Sequence, residues 1–207
     1  MRNPIVVLAL SVCSMAVTGI IDEWLKGTLS RHRKGESYPV AFVTLLIGNR
    51  PRYGGYIVHL SIVMLAVGAI GSSFYGVQRD FSMVPGESGS LGQYSFRYEG
   101  IQKRFLADRD EVFTEFTVHK GSRYVGVIRS ERTFYHNFKM SATRAAIKSN
   151  FLEDFYIVAS ELDEDDRSIF RVYVNPLVWW MWASAPLLAF GTIFALYPRR
   201  KRNVTTI

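Results

Sequence analysis

Apolar residues in this chain gather into three blocks, 4–21, 53–75 and 176–197, separated by stretches of different texture. Each block reaches or nears the ~20 residues that carry a helix across a ~30 Å hydrocarbon core. Three transmembrane helices are therefore predicted, over 1–25, 53–75 and 176–198. The run 38–47 (YPVAFVTLLI) is equally apolar but too short to span. It reads as an interfacial or re-entrant segment, or as a buried turn against a neighbouring subunit. Between 76 and 175 the period changes to two. Tyr94, Phe96 and Tyr98 alternate with Ser95 and Arg97, and Phe116 and Val118 precede a Lys120–Gly121–Ser122 turn. Strand-like runs recur at 155–158 and 169–174, separated by an acidic turn at 163–166. Short aromatic and β-branched runs with frequent turn signals predict an antiparallel sandwich or barrel. Within this region only 141–148 looks helical. The predicted fold is a membrane protein of mixed α and β class, an all-β domain at 76–175 inserted between helices two and three.

Charge sets the orientation. The chain carries 25 Lys+Arg against 18 Asp+Glu, with a mean hydropathy of +0.07. Lys26, Arg31, Arg33, Lys34, Arg50 and Arg52 fill the segment 26–52, and Arg199, Arg200, Lys201 and Arg202 follow the third helix. The positive-inside rule puts this loop and the tail 199–207 in the cytoplasm. The N-terminus and the β-domain then lie outside. That domain is nearly neutral, so the basic balance marks topology and membrane lipid, and no nucleic-acid partner is expected. The stretch Leu10–Ser11–Val12–Cys13 hints at a lipoprotein cleavage site, but Val12 is bulky for one and the block is kept as a span. With Cys13 the only cysteine, an internal disulfide and an all-cysteine metal cage are excluded.

One residue in these blocks carries chemistry. His59 lies six residues into the second helix, about 9 Å from its start. An ionisable side chain at that depth is costly without a partner and marks a functional-site hypothesis. Gly55 precedes it by one turn, Gly54 stands beside Gly55, and Ile62, Val63 and Ala66 continue the same face. Small residues admit a flat group or another helix. Two readings stay open on chemistry alone: an axial ligand to haem iron, or a structural histidine bonded to a neighbouring helix. Of the other histidines, His32 adds charge to a basic loop, His119 ends a strand, and His136 sits in an external loop from which a cofactor is within reach. No catalytic triad, zinc spacing or phosphate loop appears. The acidic run 161–166 reads as a solvated hairpin.

The stretch Asn49–Arg50–Pro51–Arg52–Tyr53–Gly54–Gly55–Tyr56–Ile57–Val58–His59–Leu60 resembles the signature of the CcmF family, the haem lyases of bacterial cytochrome c biogenesis system I. Further stretches agree in order: Gly35–Glu36–Ser37, Val84–Pro85–Gly86–Glu87–Ser88, 140–147 with 154–158, and 171–177 ahead of a Trp-rich helix. The likeness covers nearly the whole chain, but only the carboxyl-terminal part of the family. It implies that His59 is one of two intramembrane axial ligands of a b-type haem, with Gly54 and Gly55 allowing its close approach. It also implies a bacterial plasma-membrane location, in which the charge map makes the chain N-out and C-in. The family's Trp-rich motif, second intramembrane histidine and external histidine pair belong to its amino-terminal part. On this resemblance the chain is a carboxyl-terminal subunit or fragment, not active alone. Its haem is shared with an amino-terminal haem-lyase subunit, a haem chaperone delivers substrate haem, and apocytochrome c receives it. The rival is a non-catalytic membrane scaffold with a structural histidine.

Overall fold

The computed structural model describes residues 3–162 and 167–197, so the predicted acidic turn and basic tail lie outside the described residues. The chain divides into two compact units, Met1–Ile70 with Trp180–Ile207, and Gly71–Trp179.

The first unit is helical. Helix α1 (Pro4–His32) is capped by Asn3, whose side-chain oxygen accepts the Ile5 N–H at 3.0 Å, while Pro4 sits where its missing N–H is no loss. The sequence reading ends this helix near Leu25, but it continues to His32. No proline interrupts 26–32, and Gly27 lies against α2 (Tyr38–Gly48), where a Cβ would meet Leu45 Cδ2 at 2.7 Å. Trp24 meets Phe42 edge-on, with centroids 5.7 Å apart. The apolar run 38–47 is thus a short helix packed on α1. Helix α3 (Arg50–Tyr75) starts earlier than predicted, with Pro51 in its first turn, and α4 (Val178–Leu196) carries Pro186 inside it. Among the described residues α1, α3 and α4 are long and apolar enough to cross a membrane.

Helices α3 and α4 approach through small residues. A Cβ on Gly54 would lie 2.7 Å from the Ala195 backbone, and one on Gly191 would lie 2.9 Å from Ile57 Cγ2 and 3.0 Å from the Val58 nitrogen. The start of α3 therefore faces the end of α4, an antiparallel contact of the small-residue kind.

The second unit is a β-sandwich. Its strands are β1 (Val77–Met83), β2 (Ser88–Leu91), β3 (Tyr94–Phe105), β4 (Arg109–Lys120), β5 (Arg123–Tyr135), β6 (Met140–Arg144), β7 (Ala146–Ser149), β8 (Glu153–Glu161) and β9 (Ser168–Pro176). They form an antiparallel four-stranded sheet, β1-β9-β8-β7, and a five-stranded one, β2-β3-β4-β5-β6. The predicted alternation holds: Tyr94, Phe96 and Tyr98 are buried with Phe116 and Val118, against Phe155, Ile157, Phe170 and Val172 of the other sheet. Gly100, at φ 135°, takes up the bulge that shifts the β3–β4 register after Tyr98.

The expected helix at 141–148 is not there. Its residues form β6, paired with β5, and β7, paired with β8, so this stretch passes from one sheet to the other. The alanines favour a helix locally. Pairing decides instead: Ser130 Oγ donates to the Arg144 carbonyl at 3.0 Å and the Arg144 guanidinium lies 3.7 Å from Glu131.

Candidate functional site: a histidine facing an apolar groove

His59 projects from the first half of α3 and is exposed within the chain, which for a spanning helix means turned toward lipid or a partner. Its Nδ1 lies 2.7 Å from the Gly55 carbonyl oxygen. A carbonyl only accepts, so Nδ1 is the donor, and in the neutral imidazole Nε2 is the nitrogen that carries the lone pair. No hydrogen bond to Nε2 is made among the described residues. The ring opens on a groove of about 520 Å³ between α1 and α3. Its α3 wall is Ile62, Val63 and Ala66, the face expected from the sequence. The α1 wall is Ile5, Leu8, Ala9, Val12, Cys13 and Ala16. That wall was not anticipated, although its spacing along α1 is the helical period of an apolar stripe.

The two glycines differ. Gly54 is buried and taken up by Ala195 of α4, whereas nothing lies within 4 Å of a Cβ on Gly55. Gly54 thus serves helix packing, and Gly55 leaves open space one turn from the imidazole.

The other histidines are placed elsewhere. His32 belongs to α1: its Nδ1 lies 2.7 Å from the Glu36 carbonyl oxygen and its ring stacks on Tyr38 at 3.8 Å. His119 stands near the end of β4, edge-on to Tyr124, as a strand-end residue. His136 Nε2 lies 3.0 Å from Asp110 Oδ2, and that hydrogen bond raises its pKa against a smaller opposing effect of desolvation. Among the described residues no group of three or more His, Cys, Asp or Glu is arranged to hold a metal ion.

Fold and site define a class: a β-sandwich joined to apolar helices long enough to cross a membrane, one of which presents a histidine to an apolar groove. Residues 74–176 match the family described as the CcmF C-terminal beta-sandwich. The chain is similar to the cytochrome c-type biogenesis protein CcmF of Pseudomonas fluorescens, 31% identical over 157 residues, 74% of this chain and 23% of the relative. The CcmF of Haemophilus influenzae is 28% identical over 154 residues, 74% of this chain and 24% of the relative. NrfE of the same organism, another cytochrome c-type biogenesis protein, is 26% identical over 152 residues, 73% of this chain and 24% of the relative. The solved structure titled Cytochrome c Heme Lyase CcmF shares the fold, with a TM-score of 0.65 and 19% identity over 96% of this chain and 35% of that one. The chain belongs to the CcmF family and corresponds to the carboxyl-terminal part of its members. It spans about a quarter of the length of these curated relatives.

Proposed function

We propose that this chain supplies the carboxyl-terminal part of a haem lyase for cytochrome c assembly in a bacterial plasma membrane. In this reading α1, α3 and α4 span the bilayer, and His59 is one axial ligand of a membrane-buried b-type haem. The observation that carries it is the imidazole itself: Nδ1 is held by the Gly55 carbonyl at 2.7 Å, the residue lines an apolar groove, and one turn away Gly55 leaves open space. These residues fit haem, which needs a fixed nitrogen lone pair and a flat apolar surface.

The chain's own residues then have distinct tasks. The Gly55 carbonyl sets the tautomer and ring direction of His59. Ile62, Val63 and Ala66 keep water from the ligand nitrogen. Gly54, locked on Ala195, fixes the α3 backbone from which His59 projects. A bis-histidine haem supplies one-electron chemistry when bound. The second ligand and the Trp-rich motif come from a partner region, a haem chaperone delivers the substrate haem, and apocytochrome c accepts it beside the external β-sandwich.

The experiment is co-expression of the chain with a Trp-rich membrane partner of the same family, followed by absorption spectroscopy of the purified assembly. A low-spin haem spectrum is expected. Gly55→Leu, which fills the open space, should weaken it, and His59→Gln, which keeps hydrogen bonding but ligates iron poorly, should abolish it. Full haem content in His59→Gln would favour the scaffold reading.

A further inference from the structure

At one end of the four-stranded sheet three connections lie side by side. The link from α3 enters β1 at Val77, β9 leaves at Pro176 toward α4, and the β7–β8 turn runs through Asn150, Phe151 and Leu152. Register places them together, since Val77 pairs with Val174, Ser149 with Asp154, and Glu153 with Pro176.

The turn is braced from every side. Asn150 Oδ1 accepts the N–H groups of Leu152 at 2.8 Å and Glu153 at 3.0 Å, and its Nδ2 donates to the Tyr94 hydroxyl at 3.3 Å. The Asn150 N–H donates to the Glu153 carbonyl at 3.1 Å. Lys120 reaches Glu153 from the other sheet. Yet this rigid turn holds two large apolar side chains outward, Phe151 at 53% and Leu152 at 61% exposure. A braced turn that keeps phenylalanine and leucine in solvent gains nothing for a soluble domain.

Its neighbours say what covers it. The Leu177 N–H donates to the Leu152 carbonyl at 2.8 Å, and Leu177 is held at φ 61°, where the chain turns from β9 into α4. The Phe151 ring packs on Trp179 in the first turn of α4, with centroids 4.9 Å apart. The turn is therefore level with the first residues of an apolar helix, where tryptophan marks the membrane–water interface. Lys148, two residues before the turn, is exposed, as suits an anionic headgroup layer.

We infer that the Asn150–Leu152 turn is a membrane anchor, with Phe151 and Leu152 inserted into the acyl edge of the leaflet that the β-sandwich stands on. It gives the domain an attachment to lipid besides its chain connections to α3 and α4. The inference rests on the membrane reading of α4.

The test is spin-label depth measurement on the full chain in lipid vesicles, with Cys13→Ser removing the only native cysteine. Labels are attached at Phe151→Cys, Leu152→Cys, Ile193→Cys in α4, and Phe138→Cys at the opposite end of the five-stranded sheet, where Phe138 is 78% exposed. Collision with oxygen relative to a water-soluble nickel complex should be several-fold higher at 151 and 152 than at 138, and highest at 193. Values at 151 and 152 equal to that at 138, with 193 still lipid-like, would overturn the anchor alone. Labels at 151 and 152 shielded from both reagents would mean a protein partner covers the turn and would also overturn it. A water-like value at 193 would overturn the anchor and the membrane reading of α4 together.

Discussion

Gly54 and Gly55 are adjacent in sequence but should respond oppositely to the same methyl group. On Gly54 the added Cβ would lie 2.7 Å from the Cα, Cβ and backbone nitrogen of Ala195. Carbon pairs at rest sit about 3.5–4.0 Å apart, so α3 and α4 must separate locally by roughly 1 Å. The obstacle is backbone, which no rotamer change relieves. Overpacking of this kind costs about 1–3 kcal/mol, which the up to about 1 kcal/mol of helix propensity gained by alanine offsets only in part. Against Gly55→Ala, which keeps that gain, the full cost is a factor of roughly 5 to 150 in a folding equilibrium. On Gly55 nothing lies within 4 Å of the new carbon, so Gly55→Ala costs no contact and gains up to about 1 kcal/mol of helix propensity. Unfolding in mixed micelles, followed by tryptophan fluorescence, should show Gly54→Ala less stable than the parent chain and Gly55→Ala equal or more stable. Equal stability of the two variants would refute the assignment of Gly54 to the α3–α4 contact.

Phe155 is fully buried and stacks on Tyr94 at 4.5 Å, so Phe155→Ala should destabilise the β-sandwich by about 3–5 kcal/mol, read by near-ultraviolet circular dichroism during thermal melting. The His136–Asp110 hydrogen bond raises the folded pKa of the imidazole above its unfolded value near 6.5. Its stabilisation is therefore fully present below about pH 6.5 and lost as pH rises through the folded pKa. The melting temperature of His136→Gln should accordingly fall below that of the parent in acid and converge with it in base. Reporter fusions after Lys34 and after Arg202 should read cytoplasmic, and one within 86–90 external; a cytoplasmic reading from the last would overturn the N-out, C-in orientation.

The helices and the sandwich core were legible because both rest on periodicity. Three long apolar blocks and the alternation at Tyr94, Phe96 and Tyr98 survive any detail of packing. Segment 141–148 forms strands where its alanine-rich composition suggests a helix, because its fate is set by partners remote in sequence, β5 and β8. The end of α1 was misplaced because charged residues there looked like a loop, whereas Gly27 and Trp24 meet Leu45 and Phe42 on α2. At the candidate site His59 and its α3 face were evident from spacing along a single helix. The α1 wall and the division of labour between Gly54 and Gly55 were not, because each depends on which helix packs where. Exposure of Phe151 and Leu152 was equally hidden, since the sequence does not say that their turn lies beside Trp179.

Whether His59 ligates haem decides the function of this chain. The most direct measurement is the haem absorption spectrum of the assembled complex carrying His59→Ala, together with His59→Gly before and after added imidazole. Loss of the low-spin spectrum with membrane insertion intact, partial recovery when imidazole fills the space left in His59→Gly, and an unchanged spectrum in His32→Ala and His119→Ala are the predicted results. Undiminished haem in His59→Ala, in a complex that still assembles, would contradict the ligand assignment.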